Sequence, residues 1–177
     1  PAPAEIPGCF ETGTQSHEGM AGTAAAVDYF AWIGESLAGD YHARNQRYSG
    51  RRRYLHAALD YLYDYEQGLA RHLVDGLQQL PDVRVQGITD PSAMTRRVPT
   101  VSFIVDKLAP NEIAQALARK NIFVWSGHNY AVEAAKSLGI YEQGGAVRVG
   151  PVHYNTVAEI DRLLVALEGI LPRRNAA

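Results

Sequence analysis

The sequence predicts an α+β fold, in which a long helical arm precedes a mostly antiparallel sheet with helices on one face. Apolar residues recur at helical spacing before Pro81, and beyond it short apolar runs alternate with short helical segments. Hydrophobic residues make up 46% of the 177 residues, which suffices for a core and excludes a disordered chain. The length fits one domain, or one domain with an appended arm.

Two helices form the predicted arm. The first covers about Met20–Leu37, and its apolar residues lie nearly all round it, which favours burial against more than one neighbour. The second covers about Gly50–Leu80 and would be roughly 45 Å long at about 1.5 Å per residue. Because that length exceeds the diameter of a small domain, we expect one end to reach toward another part of the protein. Pro81 ends the helix.

The long helix carries one continuous leucine face, interrupted only at Glu66. The leucines recur at spacings of three, four and seven residues, which is the pattern of a helix with one buried side. They are Leu55, Leu59, Leu62, Leu69, Leu73 and Leu77.

Four strands and three helices are predicted after Pro81. The strands are Val83–Gln86, Pro99–Val105, Ile122–Trp125 and Ala146–Val149. The helices begin near Pro110, Tyr130 and Thr156, and they end near Lys120, Leu138 and Pro172. Proline suits the first turn of a helix, and Thr156 with Glu159 forms a capping box at the start of the last one.

Charge and composition exclude several classes of function. The net charge of -2 leaves no large basic field for nucleic acid or an anionic membrane, and the short run Arg51–Arg53 reads as a solvated helix start. No run of about 20 apolar residues is present, so no segment is expected to span a membrane. The single cysteine, Cys9, has no partner for an internal disulfide, which agrees with a cytoplasmic location.

Common catalytic and metal-binding patterns are absent from the sequence. Ser126 lacks the leading glycine of a nucleophile elbow and is interpreted as a turn residue. His56 and His72 share the long helix, but about 100° per residue places them roughly 160° apart around it, so they do not form a metal-ligand pair.

Two groups of residues suit the binding of an anion. Gly13 and Thr14 lie in a loop before a helix, where backbone N–H groups and a hydroxyl suit a phosphate, although a plain turn explains the pattern more simply. Arg148 interrupts an apolar strand, and a buried guanidinium needs an anionic partner. A structural carboxylate is the simpler partner, and a substrate carboxylate held by both arms of the guanidinium is the functional alternative.

Several segments in order resemble the C-terminal part of class V aminotransferases, specifically the cysteine-desulfurase-like branch. The resemblance covers about Pro7 to Leu171. The segments are Phe10-Glu11-Thr12-Gly13-Thr14, Ile122-Phe123-Val124-Trp125-Ser126-Gly127-His128-Asn129-Tyr130-Ala131, Val147-Arg148-Val149 and His153-Tyr154-Asn155-Thr156.

The resemblance implies a fold-type I enzyme that uses pyridoxal phosphate and forms its active site in a homodimer. It implies that Gly13 and Thr14 contact the cofactor phosphate across the dimer, and that Arg148 binds the α-carboxylate of an amino-acid substrate. It also implies three parts: residues 1–49 form an arm and helix from the end of a large domain, residues 50–80 a connecting helix, and residues 81–177 the small C-terminal domain.

The sequence departs from the family pattern at its most reactive positions. Tyr130 stands where desulfurases carry the persulfide-forming cysteine, Trp125 replaces an arginine, and Cys9 is interpreted as a small apolar residue. The resemblance implies a Schiff-base lysine that precedes the Gly-Thr loop. The lysines of this sequence, Lys107, Lys120 and Lys136, all follow that loop, so the Schiff-base lysine is missing. We therefore expect a piece of a longer enzyme that is inactive alone and does not hold the cofactor covalently.

For the complete enzyme, transamination, racemisation and cysteine-independent C–S lysis stay open, and persulfide transfer is the least favoured reaction. The expected partners are the missing large domain, a homodimer mate and a small amino acid, with no nucleic acid or membrane. The alternative is a non-catalytic, stand-alone binding or dimerisation domain with the same fold.

Overall fold

A computed structural model describes residues 3–11 and 13–171, so the predicted end of the last helix at Pro172 lies outside the described residues. The chain forms two compact units, Pro1–Leu62 and Tyr63–Ala177, and the division falls within the long helix. The predicted domain boundaries at residues 49 and 80 stay predictions.

The first unit contains helix α1 (His17–Ser36) and the beginning of helix α2 (Gly50–Gln79), joined by the 3₁₀ turns Gly39–Tyr41 and Ala43–Asn45. The Ser16 hydroxyl accepts a hydrogen bond from the backbone N–H of Gly19 at 3.3 Å and thereby caps α1. A small core forms where Ile33 on α1 meets Ala58 and Leu62 on α2.

Most of α1 is exposed in the described chain, and its expected burial against more than one neighbour stays a prediction. Only Ile33 and Gly34 of this helix are buried, and a Cβ on Gly34 would lie 1.8 Å from the Tyr54 carbonyl oxygen. Met20, Tyr29 and Trp32 are exposed, and they lie on different sides of the helix because successive residues are about 100° apart.

The second unit is built on a four-stranded antiparallel sheet, as predicted. Its strands are β1 (Val83–Gln86), β2 (Val101–Val105), β3 (Trp125–Gly127) and β4 (Ala146–Val149), in the spatial order β1-β2-β4-β3. Three further helices complete the unit: α3 (Pro110–Ala118), α4 (Val132–Ser137) and α5 (Val157–Glu168).

Alternation along the strands gives the sheet a core face and an outer face. Val101 and Phe103 on β2 and Val147 on β4 are buried in the main core, together with residues of α2, α3 and α5. The opposite face is covered in part by the short helix α4, where Ala135 packs with Ile104 and Ala146. The long helices therefore lie on one face of the sheet, as the α+β prediction requires.

The third strand begins three residues later than predicted. Ile122 is tied to the end of α3, because its backbone N–H donates to the carbonyl of Leu117 at 3.1 Å. Ile122 and Val124 pack against the core without forming part of the sheet ladder. The apolar character of this segment thus reflects core packing and not strand pairing.

The predicted leucine face of α2 holds at Leu62, Leu69, Leu73 and Leu77, which are buried, but fails at Leu59, which is exposed. At this level of the helix the buried side is formed by Ala57 and Ala58. A leucine spacing alone does not distinguish these small buried residues from their larger exposed neighbour.

Two substitutions on α5 test the position of the core. Leu167 is fully buried, so Leu167→Ala is expected to lower the free energy of unfolding by about 2–5 kcal/mol through lost contacts and a cavity. Val165 on the same helix is 68% exposed, so Val165→Ala is expected to change it by less than about 0.5 kcal/mol. Urea unfolding followed by circular dichroism measures both, and equal effects would contradict this packing.

Candidate functional site

Arg148 lies on the outer face of the sheet, in the middle of strand β4. Its neighbour Val147 is buried on the core face, so the strand pleat turns the Arg148 side chain outward. The expectation of a buried guanidinium is therefore wrong. Within residues 3–11 and 13–171, no carboxylate or carbonyl oxygen pairs with this guanidinium, so no structural partner occupies it.

A cleft of about 370 Å³ opens beside Arg148, and we call it the Arg148 cleft. It lies between the outer face of the sheet, the loop after β3 and helix α4. The residues that line it are Gln86, Gly87, Arg97, Thr100, Ser102, Gly127, His128, Asn129, Ala131, Ala134, Ala135, Leu138, Ile140, Ala146 and Arg148.

A row of paired side chains crosses the outer face beside the cleft. Gln86 pairs with Ser102, Ser102 pairs with Arg148, and Arg148 pairs with Trp125. Directly paired residues of antiparallel strands project from the same face, with Cβ atoms about 5 Å apart. Arg148 thus has a polar flank formed by Ser102 and Gln86 and an aromatic flank formed by Trp125, whose side chain is 60% exposed.

Arg97 is a second guanidinium on the wall of the Arg148 cleft, and the sequence interpretation missed it. It is half-buried, and it donates to the carbonyl of Ile88 through Nη1 and to that of Thr100 through Nη2, the latter at 3.2 Å. Burial lowers the pKa of the Arg97 guanidinium, which still keeps its charge at neutral pH. Only its position in the fold, and no sequence motif, relates it to Arg148.

The loop after β3 contains Asn129 and Tyr130, both in the left-handed region at φ 52° and 61°. The Asn129 side chain supports its own turn by donating from Nδ2 to the Gly127 carbonyl at 3.1 Å. Tyr130 is 95% exposed and does not line the cleft. Ser126, interpreted as a turn residue, instead pairs with Val147 inside β3.

Gly145 permits the close approach of the loop before β4 to the end of β3. A Cβ at this position would lie 2.2 Å from the carbonyl carbon of Gly127 and 2.6 Å from the backbone nitrogen of His128. Its φ of +87° is also disfavoured for residues with a side chain. This contact fixes the loop that forms one wall of the cleft.

Gly13 and Thr14 lie in the first unit, in the segment between the turn Gly8–Phe10 and α1, and both are exposed. A Cβ at Gly13 would meet nothing within 4 Å, so the backbone here is open to an approaching group. Thr12, which the sequence places in the same loop, lies outside the described residues. Cys9 is half-buried in the preceding turn.

The three lysines are exposed, and none of them lines the Arg148 cleft. Lys107 and Lys120 are exposed in turns, and Lys136 on α4 pairs with Glu133 at 2.9 Å. The histidines of α2 have structural contacts, since His56 stacks on Tyr48 and His72 bonds to Asp161 at 2.6 Å. In the described part of the chain, no three His, Cys, Asp or Glu side chains could hold a metal ion.

The segment His153–Thr156 anchors the start of α5. The backbone N–H of His153 donates to the Glu66 carboxylate at 3.1 Å, which explains the charged interruption in the leucine face of α2. The side chain of Asn155 accepts from the backbone of Val152 at 3.0 Å. Thr156 and Glu159 complete the predicted capping box, and these hydrogen bonds to Thr156 lower the pKa of the Glu159 carboxyl.

Comparison with known proteins gives a consistent set of relatives. Residues 52–163 match the family model described as aminotransferase class-V. The uncharacterized protein MT3887 of Mycobacterium tuberculosis is 32% identical over 164 residues, which cover 93% of this chain and 37% of that protein. A cysteine desulfurase of Salmonella newport is 28% identical over 167 residues, or 94% of this chain and 33% of the relative.

A solved structure agrees with these matches. The apo cysteine desulfurase of Thermococcus onnurineus superposes with a TM-score of 0.69 and 28% identity, over 94% of this chain and 34% of that protein. The chain therefore spans about a third of the length of the relatives it matches. Among residues 3–11 and 13–171, every helix is too short or too polar to span a lipid bilayer.

Gly145→Ala tests the contact that shapes the cleft. The new Cβ would overlap the Gly127 carbonyl and hold a left-handed φ, so we expect a loss of about 2 kcal/mol or more in unfolding free energy. Gly150→Ala is the matched control, because its Cβ would meet only the Thr100 hydroxyl at 3.8 Å. Thermal unfolding followed by circular dichroism distinguishes the variants, and similar losses in both would rule out the close approach.

Proposed function

Because the chain belongs to the class V aminotransferase family, we propose that it is the C-terminal part of a pyridoxal-phosphate enzyme and binds an amino-acid substrate. Arg148 binds the substrate carboxylate. The observation that carries this proposal is an exposed guanidinium without an internal partner, at the edge of a cleft with no acidic lining residue among those described.

The chemistry of Arg148 suits a carboxylate. A guanidinium presents parallel N–H groups that match the two oxygens of a carboxylate, and charge-assisted hydrogen bonds of this kind are stronger than neutral ones. The sheet holds the arginine backbone rigidly between β2 and β3. Arg148 would therefore orient the substrate without rearrangement of the strand that carries it.

The Gly13–Thr14 loop suits a contact with the phosphate of pyridoxal phosphate. It is exposed, it has open space at Gly13, and it carries a hydroxyl at Thr14. Backbone N–H groups and a threonine hydroxyl are common phosphate ligands. We propose that this loop contacts the cofactor phosphate across a homodimer, as the family resemblance implies.

The covalent anchor of the cofactor is proposed to lie outside these 177 residues. When bound, pyridoxal phosphate supplies an electron sink for bonds at the α-carbon of an amino acid. None of Lys107, Lys120 and Lys136 lines the Arg148 cleft. We therefore propose that the chain contributes binding and orientation, and that it has no activity of its own.

Tyr130 bears on the reaction of the complete enzyme. Its exposed phenol stands at the position that the resemblance assigns to the desulfurase cysteine, and a phenol does not carry sulfur as a persulfide. The proposal therefore favours amino-acid chemistry without that nucleophile, namely transamination, racemisation or C–S lysis.

The exposed apolar side of α1 supports the proposed partners. Met20 and Val27 are exposed on one side of this helix, and Trp32 is exposed about 120° away around it. A large apolar patch on a protein surface marks an interaction site. We propose that the large domain or the homodimer mate covers it, and that the enzyme works in the cytoplasm, in agreement with its single cysteine.

A titration with a simple carboxylate tests the role of Arg148. N-acetylglutamine carries one carboxylate and no free amine, and it should shift the backbone NMR signals of β4 and of the loop after β3. Arg148→Gln is expected to raise its Kd at least about tenfold, because a charge-assisted pair contributes about 1.5–3 kcal/mol.

Arg119→Gln is the control, because it removes the same charge from an exposed position outside the cleft. It should leave the Kd unchanged. The proposal fails if N-acetylglutamine does not bind, or if both variants weaken its binding equally.

A further inference from the structure

A second arginine, Arg97, lines the Arg148 cleft. A substrate with a single carboxylate bound at Arg148 would make no use of this second guanidinium. We propose that the substrate is an amino acid whose side chain carries a second carboxylate: Arg148 binds the α-carboxylate and Arg97 binds the side-chain carboxylate. This inference rests on the proposed function, since it assigns a substrate class to the same cleft.

The charge of the lining is the first support. Arg97 and Arg148 both line the cleft, and no aspartate or glutamate is among the described residues that line it. Two cations in one cleft repel each other unless an anion lies between them. A ligand with two negative groups would neutralise both arginines, whereas a monocarboxylate would leave one uncompensated.

The bonding of Arg97 is the second support. Its two described hydrogen bonds go to neutral backbone carbonyls, those of Ile88 and Thr100, which position the side chain without cancelling its charge. A guanidinium has five N–H groups, so three form no hydrogen bond within the described residues, and the two of these on the Nη atoms can serve a ligand. The third, at Nε, is buried and has no partner within the described chain. The group is thus held in place, desolvated in part and still cationic.

The side chains around Arg148 indicate on which side of it the second carboxylate of the substrate would lie. On the β3 side its neighbour is Trp125, which offers an aromatic surface and no cation. On the β2 side the neighbours are Ser102 and then Gln86, both polar and both lining the cleft with Arg97. A substrate held at Arg148 would therefore find its second polar contact toward β1 and β2, where Arg97 lies.

A matched pair of ligands tests the proposal on the 177-residue chain. N-acetylglutamate and N-acetylglutamine differ only at the side-chain terminus, which is a carboxylate in the first and a neutral amide in the second, so the ratio of their Kd values reports on the second carboxylate. We expect N-acetylglutamate to bind about tenfold more tightly, as measured by NMR titration. Arg97→Gln should abolish this preference and leave the Kd of N-acetylglutamine nearly unchanged.

Arg96→Gln is the control variant, because it removes one positive charge from the exposed neighbouring residue, which does not line the cleft. It should keep the tenfold preference. Gln86→Glu gives a second test that leaves the hydrogen bonds of Arg97 to Ile88 and Thr100 in place. The added carboxylate should occupy Arg97 and repel the second carboxylate, and thereby remove the preference even if Arg97→Gln fails to fold.

The outcomes separate this inference from the function on which it rests. If both ligands bind wild-type protein equally, or if Arg97→Gln folds and keeps the preference, the second carboxylate contact is wrong while Arg148 binding stands. If neither ligand binds, the proposed function fails as well.

Discussion

The position of Arg148 depends on the alternation of β4 between the two faces of the sheet. Val147 is buried among the residues of the main core, and this burial sets which face Arg148 occupies. A shift of one residue in the pairing with β2 or β3 would bury the guanidinium and expose the valine, at a cost in both hydrophobic and charge solvation energy. The same register sets the row from Gln86 to Trp125 and brings the loop after β3 beside the cleft.

The sequence alone was sufficient for much of the fold. Helical periodicity and capping residues located the helices to within a few residues, and the capping box at Thr156 and Glu159 is formed. The strand at Ile122–Trp125 was misplaced because an apolar run records burial and not hydrogen bonding. Leu59 was misassigned because small alanines take its place in the core. Both errors concern tertiary packing, which a linear pattern does not encode.

The candidate site was predictable only where residue chemistry is unusual for its setting. A charged residue within an apolar strand identified Arg148, although it is exposed and not buried. The sequence did not identify Arg97 as a site residue, because its closeness to the Arg148 cleft arises from the pairing of strands far apart in sequence. The two arginines and the Gly13–Thr14 loop are the proposed anion-binding groups, and no lysine is among the described residues that line the cleft of the arginines. Under the proposed function, this chain recognises the substrate and the cofactor phosphate, and the covalent anchor of the cofactor lies elsewhere in the longer enzyme.

The location of the covalent cofactor anchor outside this chain can be tested by reduction with borohydride after incubation with one equivalent of pyridoxal phosphate. We expect only low labelling by intact mass, spread over Lys107, Lys120, Lys136 and the N-terminal amine, because exposed lysines have no preorganised cofactor site. A variant with all three lysines changed to arginine gives the background from the N-terminal amine. One equivalent of cofactor on a single lysine, absent from that variant, would contradict the claim that the anchor lies outside this chain.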